Sequence, residues 1–179
     1  MNTALTTSVD FPKWRIISLL LAGNLLLAIS SKISLPLLPV PVTLQSFAVL
    51  LIAMLYGARL GTATVSLFIL EGLCGLPVLA IGSWATLGYA LGFIPAAWIC
   101  GSLAERGWNM TLPKVGLVSL LGIGIIMACG LSQLFLILKD WSITYNIGLK
   151  PFILGEGLKI ILLSIMVPGS QGLLKRFHP

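Results

Sequence analysis

Two charged residues, Glu156 and Lys159, stand inside the apolar run PFILGEGLKIILLSI at 151–165. Three residues is a neighbour spacing on a helix, so both side chains fall on one face. A carboxylate offers only acceptors and an ammonium only donors. A neutral ligand with adjacent N–H and C=O groups, such as a cyclic urea or amide, satisfies both. The same two residues also make sense as a structural ion pair facing a bundle interior. Such a pair adds little net stability, because desolvation offsets the attraction. Both readings stand at this point. Asn24, Gln45, Glu71 and Gln133 are the other polar residues set in apolar stretches. Glu71, in FILEGLCGLPV, is either a second ligand group or an acid at the end of a span. Gln45 either contacts a ligand or braces the proline-rich stretch before it.

The elements that must position these groups belong to a membrane protein. Of 179 residues, 58% are hydrophobic and 9% charged, whereas a soluble domain carries about 25% charged residues. So few charges do not cover a water-facing surface. At about 20 residues per span, the chain reads as one all-α, polytopic domain over 1–179 with six transmembrane helices. A polar tail covers 1–13 and the membrane core about 14–175. The spans are expected near 14–31, 43–56, 60–73, 85–103, 115–138 and 152–167. The first is read as retained, since no small-residue cleavage site follows it. Between the first two lies KISLPLLPVPVTLQ, where Pro36, Pro39 and Pro41 fix φ and remove donors, giving an extended, irregular stretch. AERGWNMTLPK and KDWSITYNIGLKP read as polar connections, and the PG at 168–169 as the stop of the last helix.

Basic residues orient the spans. Lys13, Arg15, Arg59, Arg106, Lys114, Lys175 and Arg176 share the side of the termini, against Lys32, Lys139 and Lys150 on the other. That bias predicts cytoplasmic termini, with the proline stretch, GSWATLGY and 139–150 outside. It also accounts for the net charge of +6 without a nucleic-acid partner; the bilayer is the partner the sequence implies.

Catalytic and metal constellations are missing from the pattern. The one histidine, His178, is in the C-terminal tail, and Cys74, Cys100 and Cys129 form no CxxC pair. No GxxxxGK[ST] phosphate loop is present, so ATP-driven transport needs another subunit to hold the nucleotide. No catalytic, metal or cofactor residue is assigned.

The segments ISLPLLPVPVTLQSFAVLL, GARLGTATVSLFILEGLCGLPVLA, LGYALGF and GEGLKIILL together resemble the BioY family. These are biotin-binding membrane subunits, the S components of energy-coupling factor (ECF) transporters. The resemblance implies a six-helix S-component fold and capture of biotin from outside for uptake across the cytoplasmic (inner) membrane. It implies a transmembrane coupling subunit and ATPase subunits as partners, with small residues on the first helix at the contact, here Ser18, Ala22 and Ala28. In the family an acidic residue and a lysine in a GDxxK-like motif help bind biotin, matching Gly155, Glu156 and Lys159 here. The chemistry agrees, because a ureido ring offers two N–H donors and one C=O acceptor. The family's aspartate is a glutamate in this chain. Its glycine-rich GPTGGY loop is shortened to IGSWATLGY, where Ser83, Trp84, Thr86 and Tyr89 are candidates to contact the ligand. Trp84 either closes the pocket or anchors at the membrane interface. With the stiff proline stretch, 81–89 is expected to form the pocket mouth. The substrate-binding expectation is thus Glu156, Lys159, Gln45, Ser83, Trp84, Thr86 and Tyr89. Two alternatives remain: another small vitamin-like ligand, or a membrane enzyme with Glu71 or Glu156 as general base. The lack of a catalytic cluster argues against the enzyme.

Overall fold

The computed structural model describes residues 12–35, 42–76, 78 and 86–177. The proline stretch at 36–41, Ser83, Trp84 and His178 lie outside them. The described chain is helical: α1 (Lys13–Lys32), α2 (Gln45–Leu73), α3 (Leu87–Leu103), α4 (Leu112–Leu138), α5 (Trp141–Gly148) and α6 (Phe152–Phe177). One short antiparallel pair, β1 (Ser34–Leu35) with β2 (Val42–Thr43), joins α1 to α2, with Ser34 opposite Thr43.

α2 is two helices without a loop. Gly57 adopts φ 83°, ψ −179°, a region open essentially only to glycine. A Cβ placed on Gly61 would lie 3.0 Å from the Cα of Ala53. In an unbroken helix those residues would stand about 12 Å apart. The chain therefore reverses at Gly57, and arms 45–56 and 58–73 run antiparallel. Five helices are long and apolar enough to cross a membrane when α2 is counted once. With α2 resolved into its arms, the six expected membrane segments are present in order. The break at Gly57 frees backbone groups, and the α3–α4 connection satisfies them. Asn109 donates from Nδ2 to the Met54 carbonyl at 3.0 Å, and the Ala58 N–H donates to Glu105 Oε1 at 2.8 Å. Glu105 belongs to a π-helical turn, Ala104–Trp108.

α2 is the most enclosed helix, packed between α1, α3 and α6, and α4 packs on α3 and α6. Leu27, Leu50, Met54, Phe68, Ile126 and Leu163 fill the centre. Leu136 and Leu154 are among the outward apolar side chains, which suits a lipid-facing surface.

Two local expectations are corrected. α6 does not stop at Pro168; it continues to Phe177 with that proline inside it. Pro168 removes one N–H and leaves the Ser164 carbonyl without its helical donor, a loss that apolar helices tolerate. The 139–150 connection is not simply loop. Asp140 caps α5 by accepting from Ile143 N at 3.0 Å, and Lys139 closes α4 at φ 53°.

Candidate functional site

Three pieces of chain meet at one end of the bundle. β2 brings Thr43, the first turn of α2 brings Gln45 and Ser46, and the second turn of α6 brings Glu156 and Lys159. Gln45 is 5% exposed, and Ser46, Glu156 and Lys159 are each 6% exposed.

Lys159 spends all three of its N–H donors on protein. Nζ donates to Glu156 Oε1 at 2.6 Å, to the Thr43 carbonyl at 2.6 Å and to Ser46 Oγ at 2.9 Å. The Ser46 hydroxyl in turn faces both carboxylate oxygens of Glu156, at 3.0 Å each. Glu156 keeps acceptor capacity beyond these contacts, since a carboxylate accommodates about four donors. Gln45 Oε1 accepts from Thr43 Oγ1 at 3.2 Å, while its buried Nε2 has no protein hydrogen-bond partner. A buried donor left open costs about 1–3 kcal/mol, so Gln45 is a group in search of an acceptor. Chemically, the cluster is an anion, a cation and an open amide donor within an apolar bundle.

Glu156, Lys159 and Gln45 are thus brought together. Tyr89 connects to them through Phe152: its ring stacks on Phe152, with centroids 5.7 Å apart and planes at 12°. Phe152 lies one helical turn before Glu156. The Tyr89 ring also rests against Gly130, where any Cβ would overlap it. The Tyr89 hydroxyl donates to Gly148 O at 2.9 Å, so this residue ties α3, α4, α5 and α6 together. Thr86 is buried at the start of α3. Ser83 and Trp84 are outside the described residues.

Glu71 stands apart from this cluster. It accepts from Asn24 Nδ2 at 3.2 Å and links α2 to α1. Among the described residues no three His, Cys, Asp or Glu side chains gather as a metal site. On α1, Ser18 and Ala22 are exposed, while Ala28 packs against the core.

The sequence reading missed Ser46 and the Thr43 carbonyl. A serine at the start of an apolar helix carries no burial penalty large enough to attract notice, and a backbone carbonyl has no sequence signature. The one available cue was that Ser46 adjoins Gln45 at the end of the proline stretch.

Comparison with known proteins agrees with this architecture. The chain is 34% identical over 148 residues to a protein named biotin transporter BioY from Thermotoga maritima, covering 79% of this chain and 86% of that one. It is 31% identical over 160 residues to biotin transporter BioY2 from Lactococcus lactis, covering 83% and 86%. Its fold matches a crystal structure described as the S-component for biotin from an ECF-type ABC transporter, with a TM-score of 0.73 at 21% identity, over 91% of this chain and 95% of that one. The BioY family pattern matches residues 2–176, a stretch that includes both arms of α2 and the Glu156–Lys159 pair, and the chain belongs to the BioY family.

Proposed function

We propose that this chain is the substrate-binding subunit of a biotin uptake system, and that Glu156, Lys159 and Gln45 bind the ureido ring. The observation that carries the reading is the buried Glu156–Ser46–Lys159 cluster with the unpartnered Nε2 of Gln45 beside it. Glu156 accepts from a ureido N–H. Lys159 donates to the ureido oxygen, and Gln45 donates to a further ligand acceptor. Phe152, one turn before Glu156, supplies apolar surface toward the bicyclic body, and Tyr89, packed against Phe152 and Gly130, backs it. Thr86, buried at the start of α3, is a further candidate contact; Ser83 and Trp84, the other two candidates from this stretch, lie outside the described residues. The relatives' names support biotin over other vitamin-like ligands, and they support transport over catalysis by Glu71 or Glu156.

Capture takes place from outside, with both termini cytoplasmic in the inner membrane. The bias of basic residues toward the end of the bundle that holds the Gly57 turn supports this orientation. A transmembrane coupling subunit and ATPases supply the energy, and the exposed Ser18–Ala22 face of α1 offers the close approach that helix contact in a bilayer requires.

Calorimetry on the detergent-solubilised chain tests the ligand assignment. Biotin should bind without turnover. 2-Iminobiotin, which lacks the ureido oxygen, should bind more weakly, and biotin methyl ester should retain the ring contribution. Equal affinity for biotin and 2-iminobiotin would remove Lys159 from the ureido contact. A C-terminal reporter active only outside the cytoplasm would overturn the orientation.

A further inference from the structure

Lys159 poses a difficulty for any ligand that needs it. An ammonium has three N–H donors, and all three already have protein acceptors. A ligand carbonyl can reach Lys159 only by displacing one of them. Glu156 and the Thr43 carbonyl are held at 2.6 Å, whereas the Ser46 hydroxyl is held at 2.9 Å and is neutral. A carboxylate is the stronger partner of a cation, and the Thr43 carbonyl is fixed by the backbone that joins β2 to α2. Ser46 is the acceptor that can leave at least cost.

The same hydroxyl also donates toward Glu156. It therefore presents one donor to the carboxylate and one acceptor to the ammonium. That is the donor–acceptor couple offered by adjacent N–H and C=O groups of a cyclic urea. We propose that Ser46 is an internal competitor for the ligand: it occupies the ureido carbonyl's place at Lys159 and sets the affinity by having to yield it. This inference rests on the assignment of Glu156 and Lys159 to ureido binding. It adds that Ser46 opposes binding rather than contributing to it.

The consequence is unusual in sign. Removing a polar residue from a polar site should tighten binding, because Lys159 then keeps an N–H open for the ligand. Ser46→Ala should lower the Kd for biotin by about three- to tenfold, the scale of one net hydrogen bond. Thermal stability without ligand should fall, and the rise in Tm on adding biotin should grow. Ser46→Thr keeps the hydroxyl and should bind as the parent does. The gain in Ser46→Ala should vanish for 2-iminobiotin, which has no carbonyl to take the vacated donor.

Calorimetry and thermal melts on the full chain, for Ser46→Ala, Ser46→Thr and Lys159→Met, decide the matter. Tighter biotin binding in Ser46→Ala, with weaker binding in Lys159→Met, is the expected pair of results. Unchanged or weaker binding in Ser46→Ala, with Lys159→Met still weakened, overturns the competitor role and makes Ser46 a neutral or direct contact. Full-strength binding by Lys159→Met overturns the site assignment itself. If Ser46→Ala is not recovered folded, Ser46→Cys reads the same direction, since a thiol is a weak acceptor.

Discussion

Two glutamates sit in polar clusters at opposite ends of one helical hairpin, and they do different work. At the turn, Glu105 accepts the Ala58 N–H while Asn109 donates to Met54 O. Each contact meets a backbone group released by the break at Gly57, so the cluster answers a demand created by the fold. At the far end, Glu156 engages a lysine and a serine, and all three are side chains. Lys159 also meets one backbone group, the Thr43 carbonyl, but the contacts of Glu156 with Lys159 and Ser46 answer no break in the backbone. The chain could fill that space with apolar residues at little loss of stability. Polar groups that only repair the backbone are explained by architecture; a cluster that pairs mostly among its own side chains invites a ligand.

Substitutions should separate the two ends. The largest effect is expected from Lys159→Met, which should weaken biotin binding by about tenfold to a hundredfold or more, because hydrogen bonds to charged groups contribute about 1.5–3 kcal/mol each. Glu156→Gln keeps the shape but presents a donor where an acceptor is needed, and should be comparably harmful. Calorimetry paired with thermal melts is the check; lost stability with unchanged affinity would make the pair structural and erase the contrast. At the turn, Gly57→Ala should cost about 1–3 kcal/mol of stability. The folded fraction should bind biotin within about twofold of the parent, as expected for distant, uncoupled sites. A smaller effect is expected from Glu105→Gln, where the N–H retains a neutral acceptor. Its stability should fall by about 1 kcal/mol with the Kd unmoved, and a Kd shift as large as that of Lys159→Met would show that the two ends are coupled. The smallest effect belongs to Glu156→Asp, which shortens the arm by one methylene and keeps the charge. A loss in affinity of about threefold or less is expected, measured in the same titration.

Much of this contrast was legible in the sequence, but unevenly. Glu156 and Lys159 stood out because charges in an apolar run are costly and their spacing puts them on one face. Gln45 stood out as an uncharged polar residue set in an apolar stretch, right after the prolines. The six segments followed from apolar length, and YGARLG marked the end of the second. Glu105 looked like part of a polar connector, because nothing local shows that its partner is the backbone of Ala58, 47 positions away. α5 was hidden because eight residues give too short a pattern to distinguish from loop. Pro168 misled because proline's rule as a helix stop is calibrated in water, where the freed groups can hydrate. Ser46 was silent because its importance lies in two partners more than 100 positions along the chain.

The loop-free reversal at Gly57 also bears on how the protein is made. Its arms are 12 and 16 residues long, and neither approaches the roughly 20 residues that an independent span needs. Neither arm can be handed to the bilayer alone, so both enter as one paired unit. The Glu105 and Asn109 side chains that finish the turn come later in the chain, beyond α3, and so are synthesised after the hairpin. Until the α3–α4 connection follows, the backbone groups opened at Gly57 lack the partners that meet them in the folded protein, so the order of synthesis leaves the hairpin's turn to be finished last.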